Sequence, residues 1–136
     1  MRTAALIIWC LTAAVGGYLL AVLISRGGLR QQATRITVFP AALTFSHPLL
    51  AVAGLACWVG YLVTGRVGLA WLAFLLLCVT ALLGFTMLTR WLVGRGGRHA
   101  RRAENSFPLR ATLLHGVAAL GTFTLVMIVA EMASHH

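Results

Sequence analysis

The chain has 136 residues, 60% of them apolar, with a mean hydropathy of +0.93 and only two acidic side chains, Glu104 and Glu131. Such a composition cannot furnish the charged shell that a soluble domain of this size needs, so a soluble enzyme or carrier is excluded. The formal charge of +9 comes from eleven arginines gathered at the ends of apolar stretches, which is a pattern of membrane topology and not of a nucleic-acid-binding surface.

Crossing a hydrocarbon core takes about 20 apolar residues in a helix, and four stretches qualify: residues 4–25, 39–64, 67–89 and 107–132. Each is expected to be helical, because an open strand in lipid leaves backbone groups unpaired. The first begins Met1-Arg2 like a secretory leader, but its apolar run is too long and no A-x-A site precedes Arg26, so it reads as a structural span. A connection carrying Arg26, Arg30 and Arg35 leads to the second span, which opens on Phe39-Pro40. Only Gly65-Arg66 separates the second span from the third. A second long connection then carries Arg90, Arg95, Arg98, Arg101 and Arg102, and the fourth span opens on Phe107-Pro108, with Arg110 just inside it.

The expected fold class is therefore an all-α membrane protein with four transmembrane helices in an up-down-up-down bundle. Arginine concentrates in the two long connections, with only Arg2 and Arg66 on the other face. By the positive-inside rule the connections are cytoplasmic and both termini extracytoplasmic. Arginine without lysine, together with abundant alanine, suggests a GC-rich bacterial gene and hence a plasma-membrane location. The bilayer itself is the first partner implied, and attraction to anionic lipid accompanies the basic connections.

The second half of the chain repeats the punctuation of the first at an offset of 68 residues, the separation of Cys10 and Cys78. Cys10-Leu11-Thr12-Ala13 returns as Cys78-Val79-Thr80-Ala81, Gly16 as Gly84, Phe39-Pro40 as Phe107-Pro108, Thr44 as Thr112 and His47 as His115. Cysteines, prolines and histidines are too rare here to align easily by chance. The chain reads as one domain, 1–136, built from two tandem hairpins, 1–68 and 69–136. Cys10 and Cys78, as repeat mates, could approach each other, but no C-x-x-C supports a disulfide.

The repeat makes the histidines a pair. Each stands seven residues after its proline, roughly 10 Å into the membrane from the cytoplasmic end. An ionisable side chain at that depth is a functional candidate by default. In an up-down bundle the second and fourth spans lie on one diagonal, on the order of 12–14 Å apart. Two inward imidazoles across that gap leave room for one metal at the centre of a flat macrocycle. Gly16, Gly17 and Gly84 stand level with the histidines on the other diagonal, where glycine lets a flat group approach the backbone. Thr44 and Thr112, one turn before each histidine, could orient the imidazole N–H or bond back to their own helix. Arg26, Arg30, Arg90, Arg95 and Arg110 surround the end at which a macrocycle's carboxylates would reach water. Pro48 and Gly116 follow the histidines directly, and Pro48 is a second candidate for the start of its span.

Histidines on alternate helices of a four-helix membrane bundle, with glycines on the other two, resemble the haem-bearing half of membrane b-type cytochromes. Quinol-oxidising cytochromes b carry two histidines per ligand helix, and here each helix has one. The resemblance implies a single bis-histidine haem b, with His47 and His115 as metal ligands, near the cytoplasmic side. It implies electron transfer with the quinone pool, or service as the membrane subunit of a redox complex. Nothing resembles a nucleophile, an acid–base pair or a nucleotide loop, so independent catalysis is not expected. A cofactor-free scaffold or subunit is the alternative, and self-association into a homo-oligomer is left open. A small transporter ranks last, because no buried carboxylate is present to couple protons or bind cations.

The arginine distribution yields a direct test. Reporter fusions at either terminus should report an extracytoplasmic location, and a cytoplasmic carboxy terminus would invert the assignment.

Overall fold

The structure, a computed structural model, describes residues 1–33, 40–94 and 107–135. Its elements are helices α1 (Arg2–Ser25), α2 (Gly28–Ala33), α3 (Ala41–Thr64), α4 (Val67–Gly94) and α5 (Leu109–Ser134). All but α2 are long and apolar enough to cross a membrane, and the chain is a multi-pass membrane protein with the expected four-helix bundle.

Helix limits follow local chemistry. Pro40 and Pro108 stand just before α3 and α5, and their carbonyls accept the N–H groups of Thr44 and Thr112 at 3.1 and 3.0 Å. Helix α3 runs without a break through Pro48. The span thus begins at Ala41, and His47 lies inside it. Gly65 ends the helix in a left-handed conformation, φ +69°, with its N–H on the Tyr61 carbonyl at 2.8 Å. A side chain would strain that backbone, and the sharp cap lets α4 start at Val67 and fold straight back along α3. Gly27, φ +83°, makes the corresponding turn from α1 into the short helix α2, which hydropathy alone did not reveal. Helix α4 also runs past the expected limit at residue 89 to Gly94, carrying Arg90 on its last turns.

Around the bundle the order is α1, α3, α4, α5, so that α3 and α5 form one diagonal and α1 and α4 the other. The closest pairs are α3 with α4 and α1 with α5. Each joins a helix of the first repeat unit to one of the second, so packing is stronger between the hairpins than within them.

The dense core fills one end of the bundle. Trp9, Trp58, Tyr61, Ala73, Val126 and Ala130 are buried there together. Small residues on α4 and α5 let the aromatic rings of α1 and α3 close up, since helices in lipid associate through van der Waals fit. Trp9 lies over Gly54, where an added Cβ would stand 3.0 Å from its ring, and its ring centroid is 6.5 Å from that of Trp58. Arg2 lays its guanidinium 5.3 Å from the Tyr61 ring centroid, a cation–π contact. Fit outranks pairing at this end: Trp58 Nε1 and Tyr61 Oη are buried without hydrogen-bond partners, at a cost of about 1–3 kcal/mol each.

The repeat is poorly kept in this region. The positions equivalent to Trp9, Trp58 and Tyr61 hold Leu77, Val126 and Val129. All three cysteines are free, and Cys10 is exposed. Trp9→Ala would open a cavity beside Gly54 and should lower stability by about 3 kcal/mol or more. A denaturant titration of the protein in micelles checks this; an unchanged midpoint would contradict the packing described.

Candidate functional site

At the other end of the bundle the repeat keeps its key positions: Thr12 and Thr80, Gly16 and Gly84, Pro40 and Pro108, Thr44 and Thr112, His47 and His115. His47 on α3 and His115 on α5 face each other across their diagonal, with ring centroids 6.2 Å apart and planes inclined at 68°. Their side chains meet in the bundle interior although their helices are not neighbours on the ring. Both are only half buried, because the aromatic core ends before reaching them.

Each imidazole is held by the neighbouring helix of the opposite repeat unit. His47 Nδ1–H donates to the Thr80 carbonyl on α4 at 3.0 Å, and His115 Nδ1–H donates to the Thr12 carbonyl on α1, also at 3.0 Å. A carbonyl oxygen only accepts, so the shared proton belongs to Nδ1. Nε2 of the neutral ring then keeps its lone pair, the atom a metal would take. Each carbonyl has a second lone pair beyond the one used by its own helix, so neither helix is broken by the contact.

Glycine makes these bonds sterically feasible. A Cβ built on Gly16 would lie 2.9 Å from His115 Cε1, and one on Gly84 would lie 2.9 Å from His47 Cε1. Each glycine stands one turn after the accepting threonine, so the Cε1–Nδ1 edge of the ring rests on the Thr-x-x-x-Gly turn. Gly16 and Gly84 are expected from the sequence to admit a flat cofactor; in the structure the group that approaches each of them is the edge of a histidine ring. Gly17 is exposed, and a Cβ there would meet nothing within 4 Å; it lies off the site, about 100° around α1 from Gly16.

Thr44 and Thr112 hydroxyls donate back to the Pro40 and Pro108 carbonyls, at 3.3 and 3.2 Å. They brace the first turns of the ligand helices, while backbone carbonyls orient the imidazoles. Those partners, Thr12 and Thr80, were not assigned to the site from sequence. Their signal was the repeated tetrapeptide itself, which places a threonine four residues before each glycine.

A further polar contact separates the site from the aromatic core. The Thr12 and Thr122 hydroxyls meet at 3.0 Å across α1 and α5, and each also lies within hydrogen-bonding distance of a carbonyl of its own helix, Thr12 of Ile8 and Thr122 of Ala118. With one proton apiece, one hydroxyl donates to its own helix and accepts from the other. On the other side Thr80 donates only back to Leu76, and Gly54 stands where Thr122 stands in the second unit.

Of the arginines expected near the site, Arg26 closes α1, Arg30 lies on α2, Arg90 lies near the end of α4 and Arg110 lies in the first turn of α5. All four are exposed at the histidine end of the bundle. Arg95 lies outside the described residues, as do His99 and His136. His135 is at the far end, 3.8 Å from Glu131 on the exposed surface, and does not join the site. No group of three or more histidine, cysteine or acidic side chains converges to hold a metal among the described residues; the convergence is of two imidazoles.

No protein-family model matches this chain, and neither a curated protein nor a solved structure matches it.

Because the histidine partners are backbone carbonyls, Thr12→Val should leave the His115 contact intact. It removes the hydroxyl's contacts with Thr122 and with the Ile8 carbonyl of its own helix, and the contact between helices is on the scale of about 0.6 kcal/mol in membranes. An unchanged His115 ring-nitrogen resonance in the variant checks this, and a shifted one would implicate the hydroxyl.

Proposed function

We propose that this protein is a small membrane cytochrome of the b type, holding one haem between His47 and His115. The observation that carries the reading is the 6.2 Å between ring centroids. A metal held between the two imidazoles would separate the ring centroids by about 6 Å, from two metal–nitrogen bonds of about 2 Å and the half-width of each ring. The lone pair left on each Nε2 supports the same reading, as does the end of the dense core short of the histidines. Carbonyl orientation of a ligand imidazole is the usual support for a metal-binding histidine.

Haem with two imidazole ligands supplies a one-electron couple and has no open position for oxygen chemistry. The chain's own contribution is to bind, orient and exclude. His47 and His115 would hold the iron through their free ring nitrogens, and the Thr80 and Thr12 carbonyls orient the two rings. Gly84 and Gly16 admit the rings, and the apolar helices keep water away. Arg26, Arg30, Arg90 and Arg110 are suited to the carboxylates of a macrocycle lying toward their end of the bundle, since guanidinium pairs well with carboxylate. Arg95 belongs to the same proposal on sequence grounds.

One haem on one side of the membrane does not make a transmembrane electron path. The protein would exchange electrons with the quinone pool or with a redox subunit beside it, in a bacterial plasma membrane. The histidine end would face the cytoplasm and both termini the outside.

Purified from haem-replete cells, the protein should show a low-spin b-type spectrum. His47→Ala and His115→Ala should each abolish it, and His135→Ala should leave it unchanged. A colourless protein free of iron and porphyrin would favour a cofactor-free scaffold. A spectrum that survives His115→Ala would refute the site.

A further inference from the structure

Histidine carries its neutral proton on either ring nitrogen, and in water the Nε2–H form is preferred. Both half-buried histidines depart from that preference. In each, Nδ1 faces a backbone carbonyl oxygen at 3.0 Å, and an oxygen that cannot donate leaves the proton no other place. We propose that Thr12–Gly16 and Thr80–Gly84 are two equivalent seats that hold His115 and His47 in the Nδ1–H form. In this role Gly16 and Gly84 are positioning residues that act through the imidazoles.

The seats depend on glycine. Added Cβ atoms would stand 2.9 Å from Cε1 and 3.4 Å from Nδ1 of the facing ring at both positions. An alanine therefore moves the ring by a few tenths of an ångström and stretches or bends the N–H···O bond. Gly116, adjacent to His115, has nothing within 4 Å of an added Cβ, so alanine there leaves the seat alone.

The seats are also reciprocal. The ring from each repeat unit rests on the backbone of the other, so neither unit completes its own ligand. Equal seats should give two ligands of equal donor strength. An N–H polarised toward a carbonyl makes the opposite nitrogen a stronger donor, which favours the more oxidised state of a bound metal. The tautomer is a property of the chain alone, whereas the consequence for a redox potential rests on the haem reading.

Two measurements on the full-length protein in bilayers test the proposal separately. In cofactor-free protein labelled with 15N in the histidine rings, His47 and His115 should both show a protonated Nδ1 and an unprotonated Nε2, assigned by loss of each signal in His47→Ala and His115→Ala. A proton on Nε2 in either ring would overturn the seats, whether or not haem is ever found. In haem-loaded protein, Gly16→Ala and Gly84→Ala should retain the low-spin spectrum and raise the midpoint potential by similar amounts, additively in the double variant. Gly116→Ala should leave the potential unchanged. Potentials unmoved by both seat variants, or moved as much by Gly116→Ala, would overturn the tuning. A protein that binds no haem but shows Nδ1–H in both rings would support the seats and refute the haem reading.

Discussion

The hydrogen bond from each half-buried imidazole to a carbonyl of the facing repeat is the interaction on which the rest of this bundle depends. A ring N–H inside a membrane bundle is expensive to leave without a hydrogen-bond acceptor. The carbonyls of Thr12 and Thr80 satisfy it only if α1 lies against α5 and α4 against α3. Those are the two closest helix pairs in the structure. A chemical requirement of two side chains thus coincides with the way two hairpins clasp each other.

The contrast between the two ends of the bundle sharpens the point. Packing at the aromatic end is satisfied by different residues in the two repeat units: Trp9 against Leu77, Trp58 against Val126, Tyr61 against Val129. Volume and shape are what that region needs, and many side-chain combinations supply them. At the histidine end the threonine carbonyl, the glycine, the proline-started helix and the histidine occur twice without change. A site in which two equivalent ligands meet on an axis cannot alter one half without unbalancing the other. The symmetry is thus lost where packing dominates and kept where the histidines make their hydrogen bonds.

Much of this was legible before any coordinates. Four apolar runs bounded by arginine give four helices, and short connections place α3 and α5 on one diagonal. The offset of the repeat puts His47 and His115 at one height, and Gly16 and Gly84 opposite them. The details that escaped have physical causes. Backbone carbonyls carry no residue signature, so the partners of the imidazoles could not be read from side-chain types. Thr44 and Thr112 bond to their own helix because the proline carbonyl four residues back is always within reach, whereas the imidazole is not. Helix α4 outruns its apolar stretch because helical hydrogen bonding continues through Arg90, whose charge can snorkel to the interface. Gly17 fails to reach the site because one residue is nearly a third of a turn. The helix axes predicted a gap on the order of 12–14 Å between the ligand helices, and the length of the two histidine side chains brings the ring centroids to 6.2 Å.

The central claim is that two equivalent imidazoles, one from each repeat, share a single ligand. Pulsed electron paramagnetic resonance on ferric protein carrying 15N-labelled histidine tests it most directly. The account predicts a low-spin haem coupled to two axial histidine nitrogens of matching strength, at one haem per chain. A high-spin centre, coupling to one histidine nitrogen only, or two nitrogens of clearly unequal strength would contradict it.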